Sequence, residues 1–445
     1  MEPVLISTNP LNQEEVGRVT IASADEIARV VANARQAQLA WAALSVAERK
    51  NLVERAYTQL DTVHDDLVRL ICLEMGKDFR RASYEVSGVI QSAPYLAEEV
   101  AQAVAPVSKG HGVELQYRPL GVVGVISPWN YPLAMANNLI IPALVAGNTV
   151  VLKPSELTPL VADTFVKLLA EFLPADVINI VHGNEEAGKA LVSSDINMVA
   201  FTGSVQAGKN IMRNASSRLH RLVMELGGND PMIVLPDADI NTAARFAVAS
   251  SLENTGQMCT STERIYVDAS IYDQFVAKVV EIAAAYRPGA WNQAGIHIGP
   301  MASAEQHQHV VKHLADAAGK GARFVLGQPE YPRPYIQPTV VTGLTEDMLL
   351  EREETFGPVV AIAKVDSVDE AIRRANQSIY GLGAVVFGQH GARQVADAME
   401  AGMVSINGSV GSGNAPWVGA KQSGLGYHGG LEGHRQFTQI RVMSR

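Results

Sequence analysis

Two kinds of hydrophobic pattern divide the chain. In its first part, apolar residues recur at helical spacing, and the pairs Ser23/Glu26 and Ser45/Glu48 each have the spacing of a capping box that opens a helix. From Gly121 the period changes, because short β-branched runs (VVGVI, TVVL, VINIV, MVAF) alternate with helix-length segments. Strands separated by helical crossovers predict a parallel sheet that is covered on both faces.

A second alternating series begins near Pro231 with the runs PMIVL, RIYV, ARFVL, VVAIAKV and GAVVF. It predicts a second α/β domain. A glycine-rich stretch from Gly408 to Gly433 then leads into RQFTQIRVM, which alternates like a strand. This last run has no obvious partner nearby in the sequence, so we expect it to pair with another subunit.

The segment from Gly121 to Lys153 is apolar and carries no charge before its last residue. It is long enough to span a bilayer, but prolines and asparagines interrupt it, and their backbone and amide groups would lack partners in lipid. We therefore interpret it as a buried strand-loop-helix-strand unit rather than a membrane span.

Composition narrows the class of protein. The 445 residues include 36 basic and 46 acidic side chains, a formal charge of −10, which argues against nucleic acid or an anionic membrane surface as a partner. The two cysteines cannot form a disulfide framework, and the amino terminus does not resemble a signal peptide. A reducing, cytoplasmic location is the expectation.

The two cysteines stand in different surroundings. Cys72 lies in the amphipathic run DDLVRLICLEMGK and is predicted to be a core residue. Cys259 lies in ENTGQMCT, a polar stretch broken by glycine, where backbone N–H groups can stabilise an anion. Upstream, Glu225 in MELGGND stands between an apolar strand and two glycines, where a carboxylate is either paired or has a raised pKa, and a raised pKa suits a general base.

Six motifs in order carry a resemblance to a known family. They are SPWNYP, VLKPSELTP, AFTGS, MELGGND, ENTGQMC and EETFGPV, flanked by LEMGK and GAKQSGLG. The chain resembles the NAD(P)-dependent aldehyde dehydrogenase superfamily over essentially its whole length. The resemblance implies an α/β fold with two parallel-sheet domains, a Rossmann-like cofactor domain and a catalytic domain, and a small oligomerisation β-element. The implied ranges are 1–105 and 122–226 for the NAD(P)-binding domain, 227–422 for the catalytic domain, and 106–121 and 423–445 for the oligomerisation element.

The resemblance also implies a mechanism and an assembly. Cys259 would attack the aldehyde carbon, while the Asn130 amide and the Cys259 N–H would hold the oxyanion. Glu225 would activate the water that hydrolyses the thioester to a carboxylic acid. Lys153 is counted with the catalytic as well as the cofactor-binding residues. The predicted assembly is a homodimer or homotetramer.

No GxGxxG motif follows the first strand of the sheet, so a dinucleotide site must be built differently here. By resemblance, Lys153 and Glu156 hold the adenine-side ribose, and Gly203 and Ser204 receive the pyrophosphate at a helix start. The remaining implied cofactor contacts are Trp129, Ser155, Leu226, Glu354 and Phe356. NAD is expected to be preferred, because a 2′-phosphate would meet the charge of Glu156, and NADP stays possible because Lys153 softens that repulsion.

The substrate tunnel is assigned by the same resemblance. Its implied lining is Tyr131, Asn138, Glu253, Met258 and Trp417. The family usually reads PFGG before the lysine near the carboxyl end, and here the segment reads PWVGAK. Members that oxidise succinate semialdehyde often carry arginines at the positions of Asn138 and Glu253. Neutral aldehydes or amino-aldehydes are therefore expected to be better substrates than succinate semialdehyde.

Alternatives remain beside this interpretation. An acylating dehydrogenase would pass the thioester to coenzyme A and would not need Glu225. A catalytically silent member would keep the fold as a binding module, which the presence of Cys259, Glu225 and Asn130 disfavours. His309 and His313 stand four apart, a spacing that metals can use, but a solvated helix face is favoured, and no metal is predicted.

Overall fold

The structure, a computed structural model, describes residues 3–411 and 414–444. Residues 1–2 of the predicted cofactor domain, 412–413 of the predicted catalytic domain and 445 of the predicted oligomerisation element lie outside this part. Within it, no helix combines the length and the apolar content that crossing a bilayer requires. The stretch 121–153 forms the predicted strand-loop-helix-strand unit.

The amino-terminal part is a hairpin followed by helices. Both predicted capping boxes are confirmed, since the Ser23 and Ser45 side chains accept the N–H groups of Glu26 and Glu48, whose carboxylates bond back. Cys72 is fully buried in the helical core, as predicted, and burial raises the pKa of its thiol to about 12. The elements are β1 (Val4–Thr8), β2 (Glu15–Thr20), α1 (Ala24–Ala43), α2 (Val46–Thr58), α3 (His64–Met75), α4 (Phe79–Ala103), β3 (Val107–Gly110) and β4 (Val113–Pro119).

The first parallel sheet follows. Its strands and crossover helices are β5 (Val122–Ile126), α5 (Pro132–Val145), β6 (Thr149–Lys153), α6 (Pro159–Phe172), β7 (Ile178–Ile180), α7 (Glu185–Ser193), β8 (Met198–Thr202), α8 (Val205–Ala215) and β9 (Arg221–Glu225). The strand order is β9-β8-β5-β6-β7, and the two-residue strand Gly424–Leu425 adds antiparallel to β9. The four runs predicted as strands are confirmed as β5, β6, β7 and β8.

The second domain contains a seven-stranded sheet. Its elements are β10 (Asp230–Val234), α9 (Ile240–Leu252), β11 (Thr262–Asp268), α10 (Tyr272–Ala283), α11 (Ala304–Gly319), β12 (Arg323–Leu326), β13 (Thr339–Thr342), α12 (Leu349–Arg352), β14 (Val359–Val365), α13 (Val368–Asn376), β15 (Tyr380–Gly381), β16 (Gly383–Phe387), α14 (Ala392–Asp397) and β17 (Met403–Ile406). The strand order is β12-β13-β14-β11-β10-β16-β17, and within this sheet only β12 runs antiparallel to its neighbour.

The carboxyl-terminal part returns to the first domain. It forms β18 (Trp417–Val418), β19 (Ala420–Lys421), β20 (Gly424–Leu425), β21 (Tyr427–His428), α15 (Gly430–Arg435) and β22 (Thr438–Ser444). One edge of the last strand pairs within the chain, because β22 runs antiparallel to β4 along its whole length, and pairing of its other edge with another subunit stays a prediction. The sequence pattern did not indicate β4 as a partner of β22, because β4 lies about three hundred residues earlier in the chain and local patterns do not report such distant pairing.

Candidate active site

Cys259 lies in the connection between α9 and β11. The residues that lead to it are in a left-handed conformation, with φ of 49° at Asn254, 61° at Thr255 and 72° at Gly256. A Cβ on Gly256 would stand 2.0 Å from the carbonyl oxygen of Gly357, so the turn admits only glycine there. Left-handed non-glycine residues cost conformational energy and concentrate at functional sites. The strained turn places the thiol in a cleft of about 730 Å³.

Asn130 is fixed beside this turn by bonds from distant parts of the chain. Its Nδ2 donates to the carbonyl of Gln257 at 3.1 Å, and its own carbonyl accepts from Asn254 Nδ2 at 3.0 Å. The ammonium of Lys77, itself buried, donates to the same carbonyl at 2.8 Å. A side-chain amide held in this way, in the cleft that contains Cys259, is a pre-oriented hydrogen-bond donor.

Glu225 ends β9 and is buried at the floor of the same cleft. Burial raises the pKa of its carboxyl to about 7, although hydrogen bonds from the Cys259 thiol and the Trp417 indole act in the opposite direction. Burial and the neighbouring Glu225 raise the pKa of the Cys259 thiol well above its ordinary value. The raised thiol pKa favours the protonated thiol, and Glu225 is the carboxylate that stands next to it.

Gly227 and Gly228 leave room in the cleft for the carboxylate of Glu354. A Cβ on Gly227 would lie 2.2 Å from Oε2 of Glu354, and the Gly228 N–H donates to Glu354 Oε1 at 2.9 Å. Burial, and then the charge of Glu263, raise the pKa of Glu354 well above its ordinary value. Phe356, with φ of 52°, follows this carboxylate in the cleft wall.

The other predicted cofactor residues line the same cleft, apart from Lys153 and Ser155, which lie next to the lining residue Glu156. Gly203 and Ser204 line it at the start of α8, where the Ser204 hydroxyl caps the helix by accepting the Ala207 N–H. Lys153 ends β6, and its ammonium lies 3.3 Å from Oε2 of Glu156. Ser155 stabilises the turn between them, since its hydroxyl accepts the Leu157 N–H. Trp129, Glu156, Leu226 and Phe356 complete the predicted lining.

This donor set fits a dinucleotide. A helix start offers N–H groups and a positive dipole end to a pyrophosphate, and buried or half-buried carboxylates such as Glu156 and Glu354 can accept hydrogen bonds from hydroxyl groups. Aromatic faces are present as well, with the Trp129 and Phe356 rings meeting edge to face at 5.6 Å. The cleft is therefore large enough and chemically suited to receive NAD(P) beside the thiol.

The predicted tunnel residues separate into two groups. Tyr131, Met258 and Trp417 line the cleft that contains Cys259. Asn138 and Glu253 line a second cavity of about 310 Å³, which shares Tyr131 with the first. Glu253 does not stand alone there, because Oε1 accepts from Arg81 Nε at 2.9 Å and from the Tyr131 hydroxyl at 3.3 Å.

The prediction that His309 and His313 lie on a solvated face of a helix is wrong. His313 is fully buried and bonds through Nδ1 to the Thr355 hydroxyl at 3.1 Å, and burial lowers its pKa to about 3. His309 bonds through Nε2 to the Glu354 carbonyl at 2.9 Å and lines the cleft. Both rings support the 354–356 segment, and in the described ranges no group of three metal-ligating side chains is assembled.

Comparison with known proteins identifies the family. The sequence model described as "Aldehyde dehydrogenase family" matches residues 3–443. The chain belongs to this family.

Relatives and solved structures of the family agree over nearly the whole chain. A probable succinate-semialdehyde dehydrogenase [NADP(+)] of Sinorhizobium fredii is 35% identical over 98% of this chain and 91% of its own. A glutarate-semialdehyde dehydrogenase of Pseudomonas aeruginosa is 33% identical over 98% and 92%. The crystal structure of aldehyde dehydrogenase C from Pseudomonas syringae, in complex with NAD+ and octanal, superposes with a TM-score of 0.96 at 32% identity, covering 100% of this chain and 94% of that one.

Sequence reasoning missed the residues that support the family's motifs. Glu85 in α4 accepts the N–H groups of Leu133 and Ala134 at the start of α5, and it pairs with the Lys77 ammonium at 2.5 Å. Lys77 in turn fixes the carbonyl of Asn130. The available signal was the LEMGK motif itself, which ends on a lysine in an apolar context where a buried charge requires a partner.

Proposed function

We propose that the chain oxidises an aldehyde to a carboxylic acid through a thioester on Cys259. The observation that carries the proposal is the contact between the half-buried Cys259 thiol and the buried Glu225 carboxylate, whose pKa burial raises to about 7. As the sulfur forms its bond to the aldehyde carbon, the thiol proton passes to Glu225, whose pKa suits it for taking and returning protons at neutral pH.

The negative charge that develops on the aldehyde oxygen is stabilised by the Asn130 amide and the Cys259 N–H. The bonds from Lys77 and Asn254 fix the Asn130 backbone, so its amide need not reorganise during the reaction. Bound NAD(P) supplies the acceptor for the hydride that leaves the former aldehyde carbon. Gly203, Ser204, Lys153, Glu156 and Glu354 would hold it, with Trp129, Leu226 and Phe356 along the cleft.

Hydrolysis completes the cycle. Glu225, which has by then released the thiol proton to solvent, removes a proton from water as the water oxygen bonds to the thioester carbon, and it returns that proton to the sulfur as the carbon–sulfur bond breaks. The products are a carboxylic acid and the free thiol. Transfer to coenzyme A would not use this base, and its position against the thiol supports hydrolysis over that alternative.

The test is product formation by wild type and Cys259→Ala over a panel of aldehydes, with and without coenzyme A. We expect NADH or NADPH and free acid from the wild type, and no turnover with unchanged cofactor affinity for Cys259→Ala. Coenzyme A dependence of the wild type would favour an acylating enzyme, and silence across the whole panel would favour a binding module.

We further propose an assembly of two or four copies. Strand β22 stands at the edge of its three-stranded sheet and presents Ile440, 51% exposed, and Val442, 62% exposed. An apolar edge strand invites pairing with another chain. The oligomerisation element predicted from residues 106–121 and 423–445 includes this sheet, although β20 within it joins the first parallel sheet.

A further inference from the structure

The indole of Trp417 contacts the proposed base directly. Its Nε1–H donates to Glu225 Oε1, with nitrogen and oxygen 3.4 Å apart. The Cys259 thiol is the other side chain that donates to this carboxylate in the described structure. Two side-chain donors therefore hold the carboxylate of Glu225, and one of them, the Cys259 thiol, loses its hydrogen during the reaction.

The surroundings fix the Trp417 ring in place. On one face the imidazole of His428 stacks on it, with ring centres 6.4 Å apart and planes 15° apart, and the two residues are register partners in β18 and β21. Against its edge lies Gly411, with φ of 68°, where a Cβ would stand 2.7 Å from the indole. Burial lowers the pKa of His428 to about 4, so the imidazole that stacks on Trp417 is uncharged near pH 7.

The two donors differ at the step in which Glu225 acts. Once Cys259 carries an acyl group its sulfur has no hydrogen, and the indole N–H remains. We propose that Trp417 is a positioning residue that keeps the Glu225 carboxylate ionised while water attacks the thioester. The inference rests on the proposed function, because it concerns the hydrolytic half of that cycle.

Two buried acids near Glu225 oppose its ionisation. The charge of Asp230 or Glu354 would repel a carboxylate at Glu225. The other titratable side chains of the cleft lining, besides Cys259, are His309, the tyrosines and the acids Glu156, Glu305 and Glu353. The lining described here contains neither lysine nor arginine. The indole N–H of Trp417 therefore stabilises the Glu225 carboxylate in a lining that offers no lysine or arginine to do so.

The experiment measures hydrolysis of the acyl-enzyme as a function of pH. Wild type, Trp417→Phe and the neighbouring control Val418→Ala are acylated on Cys259 with p-nitrophenyl acetate, which needs no cofactor. Loss of the acetyl group is followed by quench-flow and intact-mass spectrometry. Phenylalanine keeps an aromatic ring between His428 and Gly411 and removes the N–H. The rate constant is measured per acylated site, so a smaller folded fraction does not alter it.

For Trp417→Phe we expect the midpoint of the rise in hydrolysis rate with pH to move up by about one pH unit. At a pH below this rise, hydrolysis should therefore be about tenfold slower than in wild type. The high-pH plateau should stay within about twofold of wild type, because the ionised base is then formed in both proteins. Val418→Ala should keep the wild-type midpoint.

An unmoved midpoint in Trp417→Phe would overturn the inference, as would a uniform loss of rate at every pH, which indicates a merely structural role. Failure of Trp417→Phe to acylate while Val418→Ala acylates would also overturn it, since the indole would then be required before hydrolysis. Failure of the proposed function looks different, because wild type would then form neither a stable acyl group on Cys259 nor NADH from any aldehyde.

Discussion

The Glu253 carboxylate accepts a hydrogen bond from Arg81 Nε at 2.9 Å, across 172 positions of sequence. Arg81 also donates to Asp78 Oδ2 at 2.8 Å, so one guanidinium is shared by two carboxylates. Lys77, the other cation nearby, is paired with Glu85. The wall of the second cavity therefore carries a net negative charge, and its arginine is already engaged.

This arrangement predicts discrimination against anionic aldehydes. Wild type should have a higher kcat/KM for butanal than for succinate semialdehyde, which has the same number of carbons. Glu253→Gln should raise the relative efficiency with succinate semialdehyde about fivefold, since a partly exposed charge pair is worth about 1 kcal/mol. Asn138→Ala, in the same cavity but without charge, is the matched control. Preference of wild type for the anionic aldehyde would mean that Arg81 exchanges Glu253 for the substrate.

Glu225→Gln should separate the two half-reactions. Glutamine can take a proton neither from the thiol nor from water, so we expect a slower burst of NADH, followed by turnover slowed at least about a hundredfold. In wild type the hydrolytic rate should rise with pH through about 7, because the carboxylate is the active form and burial raises its pKa to about 7. Stopped-flow absorbance over a pH series measures both. Unchanged steady-state turnover in Glu225→Gln would assign the base elsewhere.

Asn130→Ala should impair acylation rather than cofactor binding. Loss of one oxyanion donor costs about 100- to 1,000-fold in rate. The amide is removed while the backbone carbonyl of residue 130, which Lys77 and Asn254 bond, is retained. The NADH burst rate should therefore fall with an unchanged cofactor Kd and a similar Tm. Equal losses in burst rate and cofactor affinity would point to a collapsed loop.

Glu156 should set the choice of cofactor. Its carboxylate is half-exposed and lies 3.3 Å from the Lys153 ammonium. Replacing Glu156 with glutamine removes the charge that opposes a 2′-phosphate and frees the lysine to pair with it. We expect wild type to prefer NAD, and Glu156→Gln to improve the NADP to NAD ratio of kcat/KM about tenfold or more. A wild-type preference for NADP, as in the name of the Sinorhizobium relative, would contradict the assignment.

Charging the apolar edge of β22 should dissociate the assembly. Ile440→Asp combined with Val442→Asp alters exposed side chains, so the fold should persist while association weakens. Light scattering after size exclusion should report the mass of one chain, against two or four for wild type and for Arg441→Ser. A monomeric wild type would remove the basis of this prediction.

The local elements and the main chemical groups could be predicted from the sequence. Capping pairs at fixed offsets and runs of β-branched residues depend on neighbours in the chain, so α1, α2 and the strands β5 to β8 were predictable. The ordered motifs identified the family, and they brought Cys259, Glu225 and Asn130 forward as candidates. The structure places those three in one cleft.

The pairing of charged and hydrogen-bonding groups could be seen only in the tertiary structure. Arg81 with Glu253, Lys77 with Asn130, and Trp417 with Glu225 are pairs separated by 172, 53 and 192 positions. Periodicity likewise gave α11 a polar face without indicating that the 354–356 segment covers it, and so His313 was placed in solvent when it is buried. Local pattern reports which side of an element is polar. What lies against that side is set by the packing of distant segments, and that packing decides the ionisation of the base and the charge of the cavity.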